Sequence, residues 1–310
     1  MRRSVSTVGQ MRFSVWPNPS QPWTEILEVA RHAEATGWDG VYFADHFMPD
    51  AADPAPGDTI ECWSVMAGLA AAVPRVRLGT LVSGNTYRHP AVLANIAAAV
   101  DNISDGRLLL GLGAGWQENE HLAYGIDFFT TKERLERLEE ACQVVRGLLD
   151  DERATFEGRY YRLEDAPNEP KPVQQKLPLL VGGGGEKVTM RIAATYADEW
   201  NCWGTPELHT QKRAVLERHC ETLGRDPAEI TRSAQALMFL STDEGYLAKK
   251  RGEMGMPTMV GTPDEVRDIV AAYAAAGVSE LIIPDFTLGK GSRRTDTFDL
   301  FIDEVAPAFR

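Results

Sequence analysis

Cysteine is scarce in this 310-residue chain: Cys62, Cys142, Cys202 and Cys220 lie far apart and form no CxxC pair. That spacing argues against a disulfide framework and fits free thiols in a cytoplasmic protein. The six histidines are equally dispersed, with no HxH or HExxH spacing, so no metal motif is present. No apolar run approaches the ~20 residues that span a bilayer. The opening MRRSVSTVGQ lacks the apolar stretch of a signal peptide and reads as a loose tail over residues 1–10. Positive charge is also in deficit, with 32 Lys and Arg against 45 Asp and Glu, a formal net charge of −13. Nucleic acid and anionic membrane surfaces are therefore disfavoured as partners. A small anionic ligand is not, because a helix terminus binds an anion locally.

What is present is a strict alternation. Hydrophobic residues make up 44% of the chain, enough for a large core. Strands are expected near residues 11–16, 40–46, 76–82, 107–113, 177–181, 199–203, 232–240 and 280–285, each followed by a helical pattern. Two stretches break the rhythm: a hairpin turning at Glu157–Gly158 and a long polar segment over 241–261. Eight strand–helix units predict an α/β fold, a (β/α)8 TIM barrel with insertions after strands 4 and 7, as one domain over 11–310.

In such barrels chemistry sits at the carboxyl ends of the strands. Those ends carry Trp16, Asp45–His46, a Leu81–Gly84 stretch, Gly113–Trp116, Gly182–Gly185, residues 200–203 and Asp285. There is no Ser/His/Asp triad and no close pair of acids on one strand, which weighs against a hydrolase. Gly183, Gly184 and Gly185 stand at a strand-to-helix turn, where free N–H groups favour a phosphate; a plain flexible turn is the alternative. GGGGEKVT lacks the lysine–hydroxyl pair of a P-loop. GLGAG at 111–115 is no dinucleotide fingerprint, since its glycine spacing is wrong and WQENEH is not an apolar helix start. His46 is the one imidazole at a strand end, able to move a proton near neutral pH, or else held structurally by Asp45 or a backbone carbonyl. Adjacent strand residues point to opposite faces, so contact between Asp45 and His46 is not assumed.

GWDGVYFADHF (37–47), VRLGTLVSGNTYRHPAVLA (76–94), DGRLLLGLGAGWQENEHLAYG (105–125) and LPLLVGGGGEKVTMRIAATYADEWN (177–201) together resemble the luciferase-like oxidoreductases, in the branch that uses coenzyme F420, an 8-hydroxy-5-deazaflavin. The resemblance implies hydride transfer between the deazaflavin C5 and a small organic substrate. It implies His46 as catalytic proton partner, with Asp45 beside it as a cofactor contact. Leu81–Val82 matches a step that is often a non-prolyl cis peptide backing the ring. Gly84, Gly113, Ala114 and Gly115 match further cofactor contacts, and Gly183–Gly185 the phosphate cradle. The branch's sugar-phosphate dehydrogenases carry a catalytic glutamate where this chain has Trp116, and their basic residues for a substrate phosphate have no clear counterparts. Trp16 and Trp116 are then expected to line an apolar or aromatic substrate pocket, with ordinary packing as the alternative. The resemblance also suggests a homodimer. The rivals are an FMN-dependent monooxygenase using oxygen and a non-catalytic F420- or flavin-binding protein. Residues 49–59 and 241–261 are expected to act as mobile covers that set specificity.

Overall fold

The structure, a computed structural model, describes residues 10–49, 58–252 and 256–310. All of the expected tail but Gln10, and parts of both expected covers, lie outside the described residues. The first elements are β1 (Arg12–Trp16), α1 (Trp23–Thr36), β2 (Gly40–Phe43), α2 (Cys62–Ala72), β3 (Arg77–Thr80), β4 (Ser83–Gly84) and α3 (Pro90–Ser104). Next come β5 (Leu108–Gly113), α4 (Glu118–Tyr124), α5 (Thr131–Asp150), β6 (Arg153–Glu157), β7 (Arg162–Pro167) and β8 (Leu179–Gly182). Then follow α6 (Thr189–Tyr196), β9 (Glu199–Trp203), α7 (Pro206–Leu223), β10 (Thr231–Gln235) and β11 (Leu237–Leu240). The chain ends with α8 (Glu244–Lys250), β12 (Thr258–Gly261), α9 (Pro263–Ala275), β13 (Glu280–Pro284) and α10 (Ser292–Glu304).

Parallel strands pair in the order β3-β2-β1-β13-β10-β9-β8-β5, and pairing of β5 with β3 closes the circle. This is the expected (β/α)8 barrel. The helices cover it through apolar stripes: Ile26, Val29, Ala30 and Ala33 on α1 are all buried, and Gly37 at φ 89° ends that helix in a left-handed cap. The barrel interior is layered. At the amino ends of the strands Arg12 lies 2.9 Å from Glu280 and Arg77 2.6 Å from Glu199, so buried charges are paired. Above them Tyr42, Leu109, Leu180 and Ile282 form an apolar plug, leaving the carboxyl ends open.

Several local expectations need correction. The stretch 232–240 is two strands, β10 in the barrel and β11 outside it in a parallel pair with β12. The segment 241–261 holds α8 and β12 rather than only polar loop. The helix after the glycines begins at Thr189 rather than directly after Gly185. WQENEH does lead into a helix, α4, which is capped by Gly125 at φ 68°. Its buried residues are Glu120 and His121, so polar contacts take the place of the apolar face by which helices are recognised.

On α7, His209 is buried against Trp200 and Tyr273, and burial lowers its imidazole to about 4 from 6.5. The unfolded chain therefore takes up this proton first as pH falls from 6.5, and the native state only near 4. Stability should drop through that window by about 1.4 kcal/mol per pH unit from this one group. Urea unfolding at pH 7 and pH 5 should show a correspondingly smaller pH effect in His209→Gln; an equal effect in both proteins would rule His209 out as the cause.

Candidate active site

The carboxyl ends of the strands open into a cavity of about 540 Å³, a size typical of small-molecule sites. One wall follows β3, where the Leu81–Val82 peptide is cis, as the resemblance implied. Leu81, Val82 and Gly84 line the cavity on that side, and Gly113, Ala114 and Gly115 continue it from the end of β5. Space dictates two of the glycines. A Cβ on Gly113 would lie 2.6 Å from Val82 Cγ2, and one on Gly182 would lie 2.9 Å from Val82 Cγ1. Val82 is thus seated between two side-chain-free positions, and the result is a smooth shelf. Gly115 at φ 79° and Gly183 at φ 123° hold backbone conformations that favour glycine.

The facing wall is aromatic. Trp16 at the end of β1 lies 5.8 Å from the ring of Trp203 on β9 and 5.1 Å from Phe286. Gln235, at the end of β10, lines the same wall, and its buried Oε1 has no hydrogen-bond partner. Trp116 stands at the rim, 59% exposed, with its ring edge-on to His46 at 5.5 Å. No lysine or arginine is among the described residues lining the cavity.

Asp45 and His46 both line the cavity but have separate partners. Asp45 is gripped by Arg88, at 2.6 and 3.1 Å, and Arg88 also reaches Glu61 at 2.5 Å. Burial raises the Asp45 carboxyl above its ordinary value despite that guanidinium. His46 turns instead to α4, where its Nδ1 lies 2.8 Å from Glu120 Oε1. Its structural partner is therefore neither Asp45 nor a carbonyl. The Glu120 carboxylate also accepts the backbone N–H of Phe47 at 2.6 Å and the hydroxyl of Tyr87. Burial works to raise Glu120, but these hydrogen bonds outweigh it and hold the carboxyl below its ordinary value.

At the glycine turn, Gly183 lines the cavity and its N–H donates to Asn201 O at 2.8 Å. Gly184 and Gly185 are not among the lining residues. Gly184 O accepts Lys212 Nζ at 2.8 Å, and a Cβ on Gly185 would lie 2.8 Å from Thr189 Oγ1. Thr189, which opens α6, lines the cavity in their place. Asp285, a strand-end carboxylate, is an anchor: Arg294 holds it at 3.1 Å and Gln21 at 2.7 Å. Sequence reasoning missed Glu120, Tyr87, Arg88 and Gln235. Asn201 falls in the 200–203 stretch read as a strand end, whereas Gln235 is hidden in the middle of the expected strand 232–240, whose barrel part stops at Gln235. Glu120, Tyr87 and Arg88 come from loops and a short helix, which carry no periodic signal.

Comparison with known proteins adds a family. The profile of the family described as Luciferase-like monooxygenase matches residues 4–254. An F420-dependent glucose-6-phosphate dehydrogenase of Amycolatopsis mediterranei is 34% identical over 92% of this chain and 94% of its own length. A protein of the same description from Kineococcus radiotolerans is 34% identical over 71% of this chain, and the match spans 64% of that relative. Among solved structures, an F420-dependent secondary alcohol dehydrogenase in complex with an F420-acetone adduct superposes with a TM-score of 0.84. That match has 22% identity and covers 97% of this chain and 99% of the other, a likeness of fold.

Proposed function

This chain belongs to the luciferase-like monooxygenase family, and we propose that within it the protein is a coenzyme F420-dependent oxidoreductase acting on a small apolar or aromatic substrate. The observation that carries this reading is the shelf. Gly113 and Gly182 seat Val82 where any Cβ would intrude, leaving a flat surface for a tricyclic ring. Gly183 and Thr189 at the start of α6 suit the phosphate that follows the ring. The unpartnered Gln235 amide oxygen offers an acceptor to a ligand. The residues therefore fit the coenzyme.

When bound, the coenzyme supplies a ring carbon that gives or takes a hydride. The chain's share is position, dryness and a proton. The shelf fixes the ring plane, and Trp16, Trp203 and Trp116 keep water from the opposite side. His46 moves the proton that accompanies the hydride. The aromatic wall, together with the lack of lysine and arginine among the described lining residues, supports an apolar or aromatic substrate over a sugar phosphate. The four free, buried cysteines support a cytoplasmic setting. The family resemblance supports a homodimer, which sedimentation would test.

Titration with oxidised coenzyme F420 and with FMN, followed by cofactor fluorescence, tests the proposal. Tight deazaflavin binding with weak FMN binding is the expected result. The reverse preference, with oxygen consumed on adding reduced FMN, would move the protein to the flavin monooxygenases of the same family.

A further inference from the structure

We infer that Glu120 is a positioning residue that holds His46 as its Nδ1–H tautomer and leaves Nε2 as the atom that moves the proton. The inference rests on the reading of His46 as proton partner and extends it to a residue of α4 and to a particular nitrogen.

An ionised carboxylate only accepts hydrogen bonds. The Tyr87 hydroxyl donates to Oε1 and the N–H groups of Phe47 and Met48 donate to Oε2, and His46 Nδ1 faces Oε1 at 2.8 Å. Nδ1 must therefore carry a proton, and neutral His46 has its lone pair on Nε2. No hydrogen bond joins Nε2 to the described residues, and the ring lines the cavity beside Trp116.

The rest of α4 serves the same end. Gln117 Nε2 donates to Met48 O at 2.9 Å and Asn119 Nδ2 to Pro49 O at 3.2 Å, so the helix start docks the segment that follows β2. His121 is used elsewhere, between Gln117 O and Thr86 Oγ1 at 2.7 Å each. This explains a helix whose buried face is polar: its contacts serve to place one carboxylate against one imidazole.

The other charged or titratable groups around His46 leave Glu120 as its direct partner. Asp45, the preceding residue, is neutralised by Arg88, which also pairs with Glu61. Arg88 sits 5.8 Å over the Phe47 ring. Tyr87 is held as a phenol, its ionisation opposed first by burial and then by the Glu120 hydrogen bond. Glu120→Gln keeps the shape but replaces an acceptor-only carboxylate by an amide that donates as well as accepts, so it should release the tautomer. Tyr87→Phe leaves the carboxylate in place and should keep the tautomer.

The test uses the whole protein labelled with 15N-histidine, without coenzyme, and long-range 1H–15N correlation spectra across pH. The His46 signals are assigned by their loss in His46→Asn. Wild type should show a single Nδ1–H tautomer in its neutral form, and Tyr87→Phe should keep it, whereas Glu120→Gln should show a mixture of tautomers or the Nε2–H form. An Nε2–H tautomer in wild type, or an unchanged pure Nδ1–H tautomer in Glu120→Gln, overturns the inference. If Glu120→Gln does not fold, the wild-type tautomer decides. Coenzyme F420 titrated into the same samples separates the two readings: failure to bind sinks the proposed function and leaves the tautomer result standing.

Discussion

His46→Ala should lower turnover by about 10² to 10⁴-fold, the usual contribution of a positioned general acid or base, while coenzyme F420 binds nearly as in wild type. His46 is the group in the cavity best placed to move a proton. Asp45 is spent on Arg88. Tyr87 donates to Glu120, and Glu120 itself is fully buried under His46, Phe47 and Met48. Removing the imidazole leaves Glu120 with its backbone donors and Tyr87, so the fold should hold. On the proposed reading coenzyme affinity rests on the shelf and the glycine turn, neither of which touches His46 through a hydrogen bond. Once a substrate is found by screening, the measurement is the rate of coenzyme absorbance change beside the fluorescence-derived dissociation constant. Undiminished turnover would remove His46 from the chemistry. Equal loss of binding and turnover would make it a ligand-holding residue instead.

His46 was legible in the sequence because barrel strands announce their ends: an apolar run stops, and the next residues face the mouth. The same logic placed Trp16, Val82 and Gly113 in one cavity with it, from four distant segments. It failed where the structure departs from periodicity. β10 and β11 share one stretch, Thr231 to Leu240, with no turn residue between them, and only pairing partners reveal that one strand leaves the barrel to join β12. α4 buries Glu120 and His121, so it has no apolar stripe to find. Gly184 and Gly185 belong to a glycine run whose members look equivalent in sequence. Only Gly182 and Gly183 reach the cavity, because the chain turns outward before Thr189. Arg88 could not be tied to Asp45 from spacing, since their contact is made by tertiary packing across 43 positions.

Gly111→Ala and Gly113→Ala should separate stability from binding, although the two residues share β5 and differ by one methyl each. A Cβ on Gly111 would lie 2.0 Å from the carbonyl oxygen of Thr80. That neighbour is backbone, and it is fixed further by the Thr80 hydroxyl, which donates to Gly111 O and accepts from Gly111 N, both at 2.9 Å. Neither strand can give without loosening the β3–β5 seam that closes the barrel. Gly111→Ala should therefore cost more than about 3 kcal/mol, at the severe end for overpacking, and appear as a large fall in apparent Tm or loss of soluble protein. On Gly113 the obstacle is a Val82 methyl group at 2.6 Å. Val82 is β-branched and stiff about χ1, so it escapes by tilting into the cavity. The fold should survive at a cost of about 1–3 kcal/mol, but the shelf no longer lies flat, and coenzyme affinity should fall by about tenfold or more, the equivalent of about 1.4 kcal/mol. Thermal unfolding and coenzyme titration on both variants read the two effects apart. If Gly113→Ala binds coenzyme as tightly as wild type, the ring does not rest on Val82, and the site must be rebuilt around the aromatic wall. If Gly111→Ala is as stable as wild type, the β3–β5 seam is more yielding than its hydrogen bonds indicate.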